Sequence, residues 1–407
     1  MDAIHCVIIT IGDELLIGQT IDTNSAWIAQ QLNPIGIMVK RRIAVGDDKN
    51  EIIDALNEAK KMADIVIITG GLGPTADDIT KPLLCDYFGG KLIENQQVLE
   101  HVVSIFTKRN RPMLESNLRQ AMVPDVCEVL FNEVGTAPGM LFREGKKVVA
   151  SLPGVPFEMQ HIITYKLIDI LKNEFKTPNI IHRSLVTSGE GESFVAERLK
   201  DFEPTFPSNI KLAYLPKLNM VKLRLTGIDV TSEQIESYFN QLKSYLSTIL
   251  VGEGDIELEH MLSIILKEKK KTISVAESCT GGNIAARITS IQGSSDYFKG
   301  GLVPYSIESK INVLNVDATI IENTTVVSEA TVLDMAQQCL SLFKSDYALS
   351  ISGYLEKNDH NNIVWIALAS STKSYAKSII APYDREKNTV LATNTALNLL
   401  RLFILEN

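Results

Sequence analysis

Unbroken apolar runs alternate with amphipathic stretches along the first part of the chain. Residues 5–10 (HCVIIT) and 64–69 (DIVIIT) are continuous apolar runs, as expected of strands buried on both faces. Residues 38–44 read as a third strand. Helical spacing runs over 24–32 and 49–62, where Ile52, Ile53, Leu56 and Ala59 fall on one face. Another helix is predicted over 78–88. This βαβα order predicts a parallel, three-layer α/β domain over residues 1–170, with ligands bound beyond the carboxyl ends of its strands.

The pattern changes over 178–252. Residues 181–187 and 211–215 are short strand candidates, and 221–226 (VKLRLT) alternates like a half-exposed strand. Residues 194–201 and 233–246 read as helices around a proline-punctuated loop at 202–209. These make a small α+β module, with a boundary expected near Val251-Gly252-Glu253-Gly254-Asp255. A second α/β pattern fills 256–407. It has a helix over 258–268, a basic turn at 269–271, strands over 272–275, 347–352 and 363–370, and a closing helix over 388–405. The predicted fold class is therefore α/β: two three-layer α/β domains joined by a small α+β module.

Composition narrows the function classes. The 407 residues are 45% hydrophobic and 22% charged, with a net charge of −9. This is a soluble globular composition, and the acidic balance argues against non-specific binding to nucleic acid or an anionic membrane surface. No apolar run reaches the ~20 residues of a membrane span. Five scattered cysteines (Cys6, Cys85, Cys127, Cys279, Cys339) show no CxxC spacing, so neither a disulfide framework nor a thiolate zinc site is expected. With no basic leader at the N-terminus, a cytoplasmic location is the expectation.

Candidate chemistry gathers at strand ends. Thr69-Gly70-Gly71-Leu72-Gly73-Pro74-Thr75-Ala76-Asp77-Asp78 follows a buried strand and precedes a helix. Its glycines let backbone amides approach a phosphate, and Asp77 and Asp78 suit a hard cation such as Mg²⁺. A tight turn with an aspartate capping the helix is the competing reading. Ile11-Gly12-Asp13-Glu14 places another carboxylate pair after the first strand. Gly135-Thr136-Ala137-Pro138-Gly139 and Leu152-Pro153-Gly154-Val155-Pro156 add two Gly/Pro loops. Together they predict a shared crevice for a phosphorylated ligand.

In the C-terminal part, Ala276-Glu277-Ser278-Cys279-Thr280-Gly281-Gly282 lies where a strand turns into a helix. The free amides there suit a phosphate or a developing oxyanion. Ser278 is either a nucleophile or a helix cap. Of the histidines only His260 and His360 lie in this part, and neither is placed as a base. Lysine substitutes when burial lowers its pKa. Lys310, in Tyr305-Ser306-Ile307-Glu308-Ser309-Lys310, is the candidate, with Tyr305 able to relay a proton or to hold the lysine neutral by contact. The competing reading of Lys310 is a solvated helix residue.

These stretches resemble a known family. IGDELLIGQTIDTNSAWIAQQL, TGGLGPTADDIT, VGTAPG and LPGVPFEM are similar to the N-terminal, molybdopterin-binding-like domain of the CinA family. The resemblance implies metal-dependent ADP-ribose pyrophosphatase activity with Mg, Mn or Co. It implies pocket residues Gly70, Gly71, Gly73, Thr75, Asn117, Gly135, Thr136, Pro153 and Gly154, and metal residues Asp13, Asp77 and Asp78. SGEGESFVAERL and LAYLPKLNMVKLRLT resemble the family's KH-type domain. The acidic loop with Glu190 and Glu192 favours an inter-domain role for this KH-like module over RNA binding.

VAESCTGG, GSSDYF and YSIESK resemble the C-terminal CinA domain, a nicotinamide mononucleotide deamidase in its family, which needs no cofactor. The resemblance implies attack by Ser278 on the carboxamide, Lys310 as base and Tyr305 assisting. Thr280, Gly281, Gly282, Ser294, Ser295, Ser352, Gly353 and Arg385 are the implied substrate contacts. A homodimer acting on small-molecule nucleotides is also implied. Two departures stand out. The family's glycine-rich loop after the 347–352 strand is replaced by Tyr354-Leu355-Glu356-Lys357-Asn358, and a second arginine after Asp384-Arg385-Glu386 is Thr389. The expected function is a bifunctional pyridine-nucleotide salvage hydrolase. The alternatives are a non-catalytic molybdopterin- or nucleotide-binding protein with a degenerate deamidase domain, and a competence or damage-response interaction protein.

Overall fold

A computed structural model describes residues 4–75, 77–356 and 362–407. The chain forms two compact units, Met1–Ile181 with Ile228–Val230, and His182–Gly227 with Thr231–Asn407. Among the described residues no helix is long and apolar enough to cross a membrane.

The first unit is built on a six-stranded sheet. Its order is Ile37–Val45, Ile4–Ile11, Ile65–Thr69, Lys147–Leu152, Gly139–Glu144, Glu128–Leu130. The apolar runs become its centre, with every residue of Ile65–Thr69 buried. Helices cover both faces. Lys49–Met62 packs Ile52, Ala55, Leu56 and Ala59 against one, and Thr23–Leu32 and Pro156–Ile162 bury Ile28, Leu32, Met159 and Ile162 on the other. Asp48 caps Lys49–Met62 by accepting from the amides of Asn50 (2.8 Å) and Glu51 (3.0 Å).

The wholly parallel sheet expected from the βαβα order is corrected at one edge. Only the first four strands are parallel. Gly139–Glu144 and Lys147–Leu152 are antiparallel, with Glu144 opposite Lys147. Two residues connect them, and Gly145 takes φ 61°. A parallel pair needs a crossover of a dozen or more residues, so this connection dictates a hairpin.

In the second unit, Ile210–Lys217, Met220–Ile228, Ile180–Ser188 and Leu250–Glu253 form a four-stranded sheet. Helices Glu192–Leu199 and Ser232–Tyr245 accompany it. Val251-Gly252-Glu253, expected at a boundary, belongs to the last strand; the turn comes after it, at Gly254 with φ 75°. The larger sheet of this unit runs Phe298–Leu302, Ile273–Glu277, Tyr347–Gly353, Ile363–Ser370, Ser374–Ile380. Leu258–Lys269 and Arg385–Glu406 cover one face, and Glu329–Phe343 the other.

The helix Arg385–Glu406 buries an unusual row of polar side chains, which bond to the smaller sheet's loops. Asn394 Nδ2 donates to the Leu218 carbonyl (2.7 Å) and Arg401 Nη1 to the Leu250 carbonyl (2.9 Å). Asn219 Nδ2 donates to Thr395 Oγ1 (3.0 Å). Buried polar groups are tolerated where they find such partners.

Candidate functional site

The strand Ile273–Glu277 delivers Ser278 to the floor of a cleft of about 340 Å³. The Ser278 amide donates to the Ile351 carbonyl (2.9 Å), extending the parallel ladder by one step. The chain then turns through Gly281 (φ 63°) and Gly282 (φ 97°), a left-handed path that favours glycine. Helix Asn283–Thr289 begins at once.

Glu277 closes that turn. Its side chain is fully buried, with Oε2 accepting from Thr280 Oγ1 (2.7 Å), Gly282 N (3.1 Å) and Ile284 N (3.0 Å), and Oε1 from Ala285 N (2.8 Å). The protein's own carboxylate thus fills the helix N-terminus, where sequence reasoning placed a phosphate or an oxyanion. The Gly281 amide donates to the Ser278 carbonyl (3.1 Å). Thr280, Gly281 and Gly282 shape the nucleophile turn and do not line the cleft. Ser278 itself does not cap the helix.

Lys310 projects from helix Ile307–Asn312, whose first turn is capped by Ser306. It is fully buried, so the solvated reading fails. Its Nζ lies 3.0 Å from Ser278 Oγ, 2.7 Å from the Pro304 carbonyl and 3.3 Å from the Tyr305 carbonyl. Burial pulls its pKa down to about 8. The two carbonyls accept only, so a neutral amine gives them its two hydrogens and turns its lone pair to the Ser278 hydroxyl. The neighbouring Cys279 thiol is pushed up to about 12 by burial, which keeps it protonated beside the lysine.

Tyr305 meets Lys310 through its backbone carbonyl. Its hydroxyl accepts from Arg385 Nη2 (3.1 Å). Of the two roles expected of Tyr305, relay or contact with the lysine, the structure shows a contact through its carbonyl, while its hydroxyl is tied to Arg385. Arg385 Nη1 also donates to Glu356 Oε1 (3.1 Å). Ser352 and Gly353 line the cleft as expected, and Ser352 Oγ donates to the Val326 carbonyl (3.0 Å). Ser294 and Ser295 sit in the turn after helix Asn283–Thr289 and do not line it. His260 is exposed on helix Leu258–Lys269; His360 lies outside the described residues, as do Lys357 and Asn358 of the divergent loop.

Val326, Val327 and Asn388 carried no motif signal. The two valines line the cleft. Asn388, fully buried, donates through Nδ2 to the carbonyls of Leu355 (2.8 Å), Ala381 (2.9 Å) and Tyr383 (2.6 Å), and its Oδ1 accepts from Tyr383 N (2.9 Å). It fastens the cleft rim to helix Arg385–Glu406.

In the first unit the ladders Thr10↔Thr69 and Thr69↔Leu152 bring three loops together. A Cβ on Gly70 would lie 2.3 Å from the Ile11 carbonyl oxygen, and one on Gly154 3.3 Å from Gly70 Cα, so the loops approach to backbone distance. Asn24 Nδ2 bridges Thr69 Oγ1 (3.2 Å) and the Gly154 carbonyl (2.8 Å), and Thr69 Oγ1 donates to the Pro153 carbonyl (2.9 Å). Asn24 lies within the stretch IGDELLIGQTIDTNSAWIAQQL but was not singled out, because its helical position gave it no chemistry of its own. The cavity here is about 120 Å³, lined by Glu14, Asp22, Asn24, Thr69 and Gly154 among others.

Several predicted pocket residues turn out to be structural. Asp78 Oδ1 accepts from the Gly73 amide (2.7 Å), and Oδ2 from the Thr75 amide (2.9 Å) and hydroxyl. It holds the Gly73–Thr75 loop through three of its acceptor sites. Asn117 Oδ1 accepts from Leu114 N (3.2 Å), as part of a helix start away from the cavity. Gly135 packs under Glu158, which accepts from Asn132 Nδ2 (2.6 Å); neither Gly135 nor Thr136 lines the cavity.

Asp13 and Asp47 bond reciprocally, each accepting the other's amide at 3.2 Å. Burial, then the charges of Asp13, Glu14 and Asp77, push the Asp47 carboxyl upward. These oxygens suit a hard cation in kind. Among the described residues, however, no three His, Cys, Asp or Glu side chains converge on one point, so Asp13, Asp77 and Asp78 do not form a preassembled metal site.

Three family descriptions match consecutive parts of the chain: a probable molybdopterin binding domain at residues 7–173, the damage-inducible protein CinA KH domain at 182–254, and the CinA C-terminal domain at 255–404. A CinA-like protein of Flavobacterium psychrophilum is 45% identical, with 98% of each chain covered. One of Cytophaga hutchinsonii is 42% identical over 98% of this chain and 97% of its own. The crystal structure of the protein CinA from Thermoplasma acidophilum is 37% identical over 41% of this chain and 98% of its own, with a TM-score of 0.38. Full-length identity of this order, across a molybdopterin-binding-like domain, a KH module and a C-terminal domain, identifies the chain as a member of the CinA family.

Proposed function

We propose that the C-terminal domain is a serine–lysine amidohydrolase that converts nicotinamide mononucleotide to nicotinate mononucleotide and ammonia. The observation that carries this reading is the buried Lys310 amine at 3.0 Å from Ser278 Oγ. A pKa near 8 leaves roughly a tenth of Lys310 neutral at pH 7, enough to act as a base without histidine. The cleft volume suits a small-molecule ligand.

In this reading Lys310 takes the Ser278 proton as Oγ attacks the carboxamide carbon. The ammonium form of Lys310 then returns that proton to the departing nitrogen, and ammonia leaves. Water, deprotonated by the same amine, releases the acid and restores Ser278. Cys279 lines the cleft beside the nucleophile, and its backbone amide is the proposed donor to an oxyanion.

For the N-terminal domain the proposal is hydrolysis of ADP-ribose to AMP and ribose 5-phosphate. A divalent cation would be held mainly by the ligand's phosphate oxygens, with Asp13 and Asp77 as the nearest protein donors, and would supply charge neutralisation. A second reading, binding of a molybdopterin or nucleotide without hydrolysis, is favoured by the engagement of Asp78 within its own loop. The five free cysteines support a cytoplasmic enzyme, and a homodimer is the proposed assembly.

Purified protein incubated with nicotinamide mononucleotide should release ammonia, and Ser278→Ala should abolish it. Ammonia release surviving that change would remove the nucleophile assignment. AMP formation from ADP-ribose with Mg²⁺, Mn²⁺ or Co²⁺ tests the N-terminal proposal, and no AMP with any of them would leave the binding reading.

A further inference from the structure

Among the described residues that line the Ser278 cleft, Glu356 engages the one exposed cation. Among the described lining residues only Lys310 and Arg385 are basic. Lys310 is sealed from solvent and committed to Ser278 and two carbonyls. Arg385 is half exposed, and each of its terminal nitrogens already donates one hydrogen, Nη1 to Glu356 Oε1 and Nη2 to Tyr305 Oη, both at 3.1 Å. Asn388 bonds the carbonyl of Leu355, next to Glu356, which places the carboxylate against the start of the Arg385 helix. Thr389, one turn further on, adds no cation; its hydroxyl donates to the Arg385 carbonyl (2.8 Å).

A guanidinium grips phosphate through the same paired N–H groups that it offers a carboxylate. Glu356 therefore opposes a substrate phosphate at this fork, by occupying one of its N–H groups and by charge repulsion. The ion pair is solvent-exposed on both sides and hence weak, so a dianion can displace it, against the repulsion of the displaced carboxylate.

We propose that Glu356 is a specificity-determining residue, an internal competitor for Arg385 that weakens the cleft's hold on phosphorylated carboxamides and leaves unphosphorylated ones unaffected. The choice of carboxamide ligands rests on the amidase reading above; the competition rests on the Arg385 geometry alone.

The test uses full-length protein carrying Ser278→Ala, so that ligands bind without turnover. Nicotinamide mononucleotide and its dephosphorylated counterpart, nicotinamide riboside, are titrated calorimetrically with Glu356 intact and with Glu356→Gln. The mononucleotide should bind about threefold to tenfold more tightly in the glutamine variant, with the riboside within about twofold. Adding Arg385→Gln should erase the gain. Equal effects on both ligands, no effect on the mononucleotide, a gain that survives Arg385→Gln, or no binding of the mononucleotide to any variant would each overturn the proposal. Ammonia release by protein with Ser278 intact is scored separately. A phosphate-selective response to Glu356→Gln without any ammonia sinks the amidase reading alone. Ammonia without that response sinks this inference alone.

Discussion

Lys310 Nζ lies 3.0 Å from Ser278 Oγ although thirty-two residues separate them, and Lys310 is fully buried. Their meeting follows from the strand pairing of Ile273–Glu277 with Phe298–Leu302, which aligns the strand end bearing Ser278 with the loop leading to helix Ile307–Asn312.

The amidase reaction should follow the titration of Lys310. The rate at low substrate should rise with pH through about 8 and then level off, because the neutral amine is the base. Lys310→Met should lower kcat by about 10²- to 10⁴-fold and remove that limb of the profile. A steady-state pH profile of ammonia release checks both.

The same group ties stability to pH. Its pKa is lowered to about 8 from 10.5, so between those values the unfolded chain holds a proton that the folded chain lacks. Stability therefore rises with pH across that window, and the full penalty, on the order of 3 kcal/mol, is present below it. The stability of the native protein minus that of Lys310→Met should increase from pH 8 to 10.5, as read by denaturant unfolding at a series of pH values. A flat difference would contradict the buried lysine.

Glu277→Gln should be far more damaging than its size suggests. The carboxylate accepts four hydrogen bonds, and an amide would turn an N–H toward backbone N–H groups. A loss of about 2–4 kcal/mol is expected, with kcat falling as the Ser278 turn loosens. Thermal melts and ammonia release measure the two effects.

Asn388→Ala should raise KM more than it lowers kcat, because it frees the rim at Leu355 and leaves the Ser278–Lys310 pair in place. The Leu355 and Tyr383 carbonyls lose this donor, while that of Ala381 keeps Asn362 Nδ2, at a cost of about 1–3 kcal/mol. Steady-state kinetics with a parallel melt distinguish this from general unfolding.

In the first unit, Asp78→Asn and Asp13→Asn should part company. Asp78 pins the Gly73–Thr75 loop, so its change should destabilise the unit by about 1–2 kcal/mol. Asp13→Asn should leave stability closer to native and weaken any cation dependence of AMP formation. Equal loss of cation response in both variants would return Asp78 to the ligand set.

Much of the architecture could be read in advance because it depends on local patterning. The runs HCVIIT and DIVIIT had to be central strands, since strands apolar on both faces are stable only inside a three-layer domain. The helix Lys49–Met62 buries Ile52, Leu56 and Ala59 as its spacing predicts, with Ala55 in the place expected for the half-buried Ile53. The hairpin Gly139–Glu144 with Lys147–Leu152 did not follow from the βαβα order, because its direction is set by a two-residue connection.

Local patterning was enough for the central strands and several of the helices, for the strand-end placement of the glycine loops, and for Ser278 and Lys310 as candidates. Those features reside in side-chain periodicity and in motifs a few residues long. Only the tertiary structure decided what each polar group faces. It turned Glu277 into the anion of the Asn283–Thr289 helix start, Asp78 into a loop clasp, and Tyr305 and Glu356 into partners of Arg385. Such roles depend on burial and on which distant donor arrives first, and neither is encoded in the spacing of residues along the chain.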